Sequence, residues 1–402
     1  MKNMAALTRN VRAFFKLQGS VLKDVGNICH GCRQLYSPAA LGVDNYVRSR
    51  ERVATQFTNL ADKFRAKMAE FSEPSSANMI FTEDLKNMAH LVQKGCKEDL
   101  ELVVKMMTRF YQQNKNLRFG SFIFGPVIMR MFYYVNEPDL ALEVFRKPEL
   151  DGFFDQLVSY QVLMDLLLIN HKYKEVLEVF EAVTEKQLQN ARYPRNVTLL
   201  AFAACYKMQN SEESLNYAMS LWNNLQKVGH QPLRRTCTFA AALALRQNAP
   251  QYTLEIVSSV RQQNYVTVRN LKMAALADLG RPDDVMPLLR SILVVDDPDA
   301  RKQSVMQDAL DKVRQSVELA DNKELSYQFG QIEKQLREQG HLQSTVTVCC
   351  PGTGRAAVLG DRASDGGTAA REEVPGHKLH PATERRAANQ DPTWPARATV
   401  VL

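Results

Sequence analysis

The chain has 402 residues, 45% of them apolar and 8% aromatic, which is enough to bury a large core and too ordinary a composition for a collagen, a coiled coil or a wholly disordered protein. Its formal charge of +7 is unevenly placed: residues 1–37 carry +5, residues 349–402 carry +1, and the long body between them carries +1. A nearly neutral body excludes nucleic-acid binding through bulk charge, so any such affinity has to come from a local patch.

No apolar run reaches the ~20 residues of a membrane span; the longest candidates are broken at Arg130 and Asp165. Seven cysteines stand without regular spacing. Cys96, Cys205 and Cys237 fall within apolar helical patterns and read as buried thiols in a reducing compartment.

Residues 1–37 read as a mitochondrial transit peptide. The first 23 residues hold five basic groups (Lys2, Arg9, Arg12, Lys16, Lys23) and no acid. Leu7, Val11, Phe14, Phe15 and Leu17 gather on one side of a helix, with Arg12 and Lys16 towards the other, whereas a secretory signal needs an unbroken apolar stretch. Arg33-Gln34-Leu35-Tyr36-Ser37 is similar to a matrix-protease site. The same composition also suits an amphipathic arm on a cytosolic protein. Cys29-His30-Gly31-Cys32 has metal-like internal spacing, but a structural zinc needs four ligands and no second pair stands at finger-like distance. No metal and no cofactor are expected.

Residues 38–84 are expected to form an N-terminal helical extension. From 85 to 300 the chain repeats itself. Leu142-Glu143-Val144-Phe145 returns 35 residues later as Leu177-Glu178-Val179-Phe180. The frame continues through Ala218–Trp222, Thr253–Val257 and Val285–Leu289, and fits less well upstream at Val103–Met107. In the clearest unit, Val158–Leu168 is a first helix with Ser159 as its N-cap, Asn170-His171-Lys172 is a turn, and Tyr173–Lys186 is a second helix. Val176, Leu177, Val179, Phe180 and Val183 follow the spacing of one buried helical face. A single hairpin cannot hide such a stripe, so the units must stack. The pattern predicts an all-α fold built of about five or six two-helix repeats. Residues 301–348 return to helix, with an amphipathic run around Val305–Val317 and a last helix from Glu324 to Glu338, and are expected to cap the open end of the stack. From Cys349 to Leu402 no apolar period survives, and a disordered tail is expected.

Val158–Asp165 followed by Tyr173–Phe180 resembles the pentatricopeptide repeat, as does Val268–Met273 followed by Leu279–Val285. The resemblance covers roughly residues 40–348 and is strongest over 114–250. It implies a right-handed α-solenoid in the mitochondrial matrix that binds single-stranded RNA and takes part in transcript maturation without catalysis of its own, beside a separate processing nuclease. In the family, a position near the start of each first helix reads one base. Carried onto this chain, that position falls on Gln161, Thr238 and Asn270, whose amide and hydroxyl groups can donate and accept on a base edge. The equivalent places near Gly125 and at Leu199 carry no such group. Arg192 with Arg195, and Arg234 with Arg235, stand before or at successive first helices, and Arg261 and Arg269 extend them into a stripe suited to phosphates. Tyr160, Tyr193 and Phe239 are either base-stacking or core residues.

Two further patterns lead nowhere catalytic. Asp283-Asp284 reads as the first turn of a helix, where acids favour the dipole, and Asp296–Asp299 as a turn around Pro298. Neither makes a two-metal site. No small-molecule substrate is implied. The rival to RNA binding is a protein-interaction adaptor in mitochondrial complex assembly, using the same surface to hold a helix or subunit; the neutral body favours it.

Overall fold

The computed structural model describes residues 35–117, 122–208, 212–294 and 303–343. The chain divides into two compact units, 1–356 and 357–402; the second, with most of residues 1–37, Cys29–Cys32 and Asp296–Asp299, lies outside the described residues.

The described residues are almost entirely helical. Three helices, α1 (Pro38–Leu41), α2 (Val43–Gln56) and α3 (Ala61–Ser72), precede α4 (Thr82–Leu91) and the long α5 (Lys97–Leu117). Helices then follow in pairs: α6 (Gly125–Val135) with α7 (Pro138–Arg146), α8 (Leu157–Ile169) with α9 (Tyr173–Lys186), and α10 (Arg195–Lys207) with α11 (Glu212–Lys227). Next come α12 (Arg234–Arg246) with α13 (Pro250–Ser258), and α14 (Val266–Asp278) with α15 (Met286–Leu293). The last pair is α16 (Gln307–Leu319) with α17 (Lys323–Glu338). The first helix of each pair packs on the first helix of the next, from α4 through α6, α8, α10, α12 and α14 to α16. Second helices α7, α9, α11 and α13 each also touch the first helix that follows. This is the sequential packing that a tandem array of hairpins requires.

Local sequence explains the pairing. Between the two helices of five pairs stands one residue with left-handed backbone, Asn136, His171, Asn248, Gly280 or Asp321, with φ between +46° and +68°. Small polar residues and glycine tolerate that region best. In four of these turns the following N–H reaches back five residues, as from Lys172 to the Leu167 carbonyl at 2.9 Å and from Arg281 to Leu276 at 3.0 Å, the Schellman closure of a helix end. Pro138, Pro250 and Pro282 then open the next helical segment, where a missing N–H is harmless.

The two layers differ in burial. On α9 only Val176, Val179, Phe180 and Val183 are buried, a stripe of one amphipathic face. On α8 every residue from Ser159 to Leu168 except Gln161 is buried, because α6, α10 and α9 cover it from three sides. Helices α10, α12 and α14 are equally enclosed, so first helices are apolar nearly all round. The core runs without interruption from Leu41 to Ala275, and a second cluster from Met273 to Leu336 joins α14 and α15 to the last pair.

Two local expectations need correction. Ser159 is not an N-cap: α8 starts at Leu157 after Gln156, and the Ser159 hydroxyl lies inside the helix, donating to Gln156 Oε1 at 3.1 Å. The chain also contains a small parallel bridge, β1 (Val305–Met306) with β2 (Leu342–Gln343). It forms because the chain leaving α17 returns beside the strand that enters α16, and two residues give no alternation to read in sequence.

Gly125 opens α6 fully buried. A Cβ there would land on the side chains of Gln156 and Ser159 and lie 3.0 Å from the Phe153 carbonyl. Gly125→Ala is therefore expected to lower stability by about 1–3 kcal/mol through overpacking, read as a lower denaturant midpoint at unchanged slope.

Candidate nucleic-acid interface

The starts of the first helices are where polar side chains emerge from the otherwise enclosed layer. On α8 Val158 is exposed and Gln161 half-buried; on α10 Arg195 and Asn196 are exposed; on α12 Arg234 and Arg235 are half-buried. Asn196 Nδ2 lies 3.5 Å from Gln161 Oε1, so amides on neighbouring helices meet. Asn196 follows Gln161 by 35 residues, the repeat interval itself, and that offset is the signal by which sequence reasoning reaches it.

The other two expected base positions sit deeper. Thr238 is 2% exposed and its hydroxyl donates to the Arg235 carbonyl at 2.8 Å. Asn270 is wholly buried, with Nδ2 donating to the Val266 carbonyl at 2.7 Å and Oδ1 accepting from the Met306 N–H at 2.9 Å. Both side chains are committed to holding their helices, and Asn270 also anchors β1. Gln161, Thr238 and Asn270 are thus not brought together on one accessible face. Carrying one family position onto every first helix ignores the differing turn and helix lengths of the pairs, and on α12 and α14 the residues with exposure lie nearer the N-terminal ends, at Arg234, Arg235 and Val266.

The arginines divide more cleanly. On and beside the second helices α7 and α9, several charges are paired: Arg146 with Glu178, Lys172 with Asp139 at 2.7 Å, and Lys186 with Asp151 and Asp155 at 2.8 and 2.9 Å. Among the described residues, Arg130, Arg192, Arg195, Arg234, Arg235, Arg261 and Arg269 form no ion pair. Arg234 lies over the Tyr265 ring at 3.1 Å and Arg192 over Tyr193 at 5.5 Å, contacts that hold a guanidinium in place without neutralising it. Arg192, Arg195 and Arg261 are exposed. Arg269 is 4% exposed, bonded to Gln303 with Nε and one terminal nitrogen unpartnered; burial pulls its pKa down. Arg130 is half-buried, and burial lowers its pKa too. His230 is lowered chiefly by burial, with the Arg195 charge acting in the same direction.

Over this layer lies the N-terminal segment 35–42. The Tyr36 hydroxyl donates to the Asn196 carbonyl at 3.2 Å, Arg235 donates to the Leu35 carbonyl at 2.9 Å, and Arg130 Nε donates to the Leu41 carbonyl at 2.8 Å. Helix α1 packs on α8. The segment therefore crosses the first helices of four successive pairs. Tyr36 is raised to about 12, chiefly by burial, with Arg235 acting in the opposite direction.

Asp165 lies beneath on α8, wholly buried, with Oδ2 accepting from the Tyr133 hydroxyl at 3.0 Å and Oδ1 without a partner. Burial pushes its carboxyl up to about 6. Asp283 and Asp284 are exposed at a short 3-10 turn, Asp284 paired with Arg281. Among the described residues, no group of three or more His, Cys, Asp or Glu stands close enough to hold a metal, and no helix is long and apolar enough to cross a membrane.

Over 323 residues the chain is 29% identical to pentatricopeptide repeat-containing protein 2, mitochondrial, of Mus musculus, covering 79% of this chain and 82% of that protein. The Xenopus laevis protein of the same name is 29% identical over 273 residues, 66% of this chain and 68% of its own. The Homo sapiens one is 32% identical over 195 residues, 48% and 49%. The chain is a relative of these pentatricopeptide repeat proteins. No family model matches it, in keeping with repeats whose lengths and motif positions vary from pair to pair. The relatives are named mitochondrial.

Proposed function

We propose that this protein is a non-catalytic single-stranded RNA-binding scaffold of the mitochondrial matrix, acting in mRNA processing or stabilisation beside a separate nuclease. In this reading residues 1–37 are the transit peptide, 38–84 a helical extension, 85–300 a right-handed α-solenoid of five or six repeats, 301–348 its cap and 349–402 a disordered tail. The observation that carries it is the set of arginines at and before the first helices that lack carboxylate partners among the described residues, beside α7 and α9, whose Arg146, Asp139, Glu178 and Lys186 are paired. Unneutralised guanidiniums are suited to phosphates, and aromatic rings hold those of Arg192 and Arg234. Arg192, Arg195, Arg234, Arg235 and Arg261 take that role, with Arg269 deeper. Gln161, joined by Asn196, supplies the accessible base-edge amide. Thr238 and Asn270 support the helices on which such contacts are made.

The test is binding of labelled single-stranded RNA across a salt series. Affinity is expected to fall steeply between about 50 and 200 mM salt, with a log–log slope near −0.7 per phosphate contact. Arg192→Ala with Arg195→Ala, neither touching segment 35–42, is expected to weaken binding about tenfold across sequences and flatten the slope by about 1–2. Absence of RNA affinity at low salt defeats this reading. The rival is a protein-interaction adaptor, and one observation favours it: a short piece of polypeptide already lies across the first helices.

A further inference from the structure

We propose that in the full chain, before residues 1–37 are removed as the transit peptide, segment 35–42 is a displaceable strap occupying part of the RNA site in cis, its carbonyls filling the places of phosphate oxygens on Arg130 and Arg235. The proposal rests on the RNA-binding reading and adds to it a buried pair of anion positions and a means of closing them.

The contacts argue for a stand-in. Arg130 and Arg235 come from helices three pairs apart, α6 and α12, and both spend hydrogen bonds on main-chain carbonyls of one short segment. Neither has an acidic partner among the described residues, and Arg235 Nε has no acceptor at all. A carbonyl is a weak substitute for an anion: a guanidinium bonded to a charged oxygen is roughly twice as strongly held as one bonded to a neutral acceptor. Replacing the strap by a phosphate chain therefore improves both bonds and fills the vacant donor. The two carbonyls lie six residues apart and are separated by at most about 20 Å, a span that a few nucleotides bridge.

The strap is also built to leave. Leu35, Tyr36 and Leu41 anchor it against the core, while Ser37 to Ala40 are all exposed. Gly42 ends it in left-handed backbone, φ +72°, tight against the Arg130 guanidinium. A glycine there gives the strap a swivel that leaves α2 in place. Tyr36 is the main latch: its ring is half-buried against the core and its hydroxyl is the one side-chain donor from the strap to the helix layer among the described hydrogen bonds. While the strap is seated, only the released fraction of molecules offers Arg130 and Arg235, so apparent affinity is reduced by that fraction.

Two measurements on the full chain test this, with a fluorescent oligouridylate as probe. Tyr36→Ala is expected to tighten binding roughly three- to tenfold by raising the released fraction, and adding Arg130→Gln or Arg235→Gln is expected to remove the gain. In the unaltered protein, amide exchange at residues 40–43 is expected to quicken when the oligonucleotide is added. RNA that binds only the Tyr36→Ala chain also supports the strap. RNA binding that ignores Tyr36→Ala, with exchange at 40–43 unchanged, overturns the strap and leaves the RNA reading standing. A gain that survives loss of both arginines overturns the stand-in. Failure of both chains to bind RNA at low salt overturns both readings together.

Discussion

Phe202→Ala is expected to lower stability by about 3–5 kcal/mol. Phe202 is 0% exposed at the centre of α10, and α10 is packed by α8, α9, α11 and α12. No solvent-facing side lets the site collapse, so the lost ring leaves a cavity that the neighbours fill only in part. The effect should appear as a lower midpoint in denaturant and, because units in such arrays interact with their neighbours, as faster amide exchange in α8 to α12 before α2 to α5 or α16 and α17. Equal loosening along the whole body would show that the pairs do not behave as nearest-neighbour units.

Asp165→Asn is expected to stabilise the protein at neutral pH. The buried carboxyl is held at about 6, against about 3.9 in an unfolded chain. Below pH ~4 the group is protonated in both states and stability is unaffected. As pH rises from ~4 to ~6 the unfolded chain releases its proton first, so folding stability falls; above ~6 the native state carries the full penalty, on the order of 2–3 kcal/mol. Lys207 eases this and the Tyr133 hydroxyl satisfies one oxygen, while Oδ1 stays unmatched. An asparagine keeps an acceptor for Tyr133 and carries no charge. Thermal melts from pH 4 to 7 should show the natural chain losing stability with rising pH and the variant losing about 1–3 kcal/mol less of it. Parallel curves would mean that Asp165 titrates as it does in water.

How much of this was legible in the sequence depended on periodicity. The second helix Tyr173–Lys186 has exposed charges every few residues, and its bounds follow directly from the pattern. The first helices are harder, because α8 and α10 are enclosed on three sides and apolar nearly throughout; with no polar face there is no phase to read, which is why Ser159 was placed as a cap and Thr238 and Asn270 as exposed. The weak fit of Val103–Met107 to the repeat frame reflects a real difference, since α5 is 21 residues long against 14 for α9. The arginine stripe was visible as composition, but which arginines lack partners is a matter of what lies across from them, and that only three dimensions supply. Segment 35–42 gave no signal at all: contacts between residues 160 and 200 positions apart leave no local trace.

Those distant contacts change the connectivity of the molecule. Stacked hairpins ordinarily exchange contacts with adjacent hairpins alone, so either end can unravel on its own and the average loop closed on folding is short. Here the stretch before α2 reaches α12 and closes a loop of half the chain, whose closure comes late and slowly relative to the local pairs. Once closed, it ties four hairpins into one cooperative block: fraying of α12 has to break a tether to residue 35, and slippage of residue 35 loosens α12.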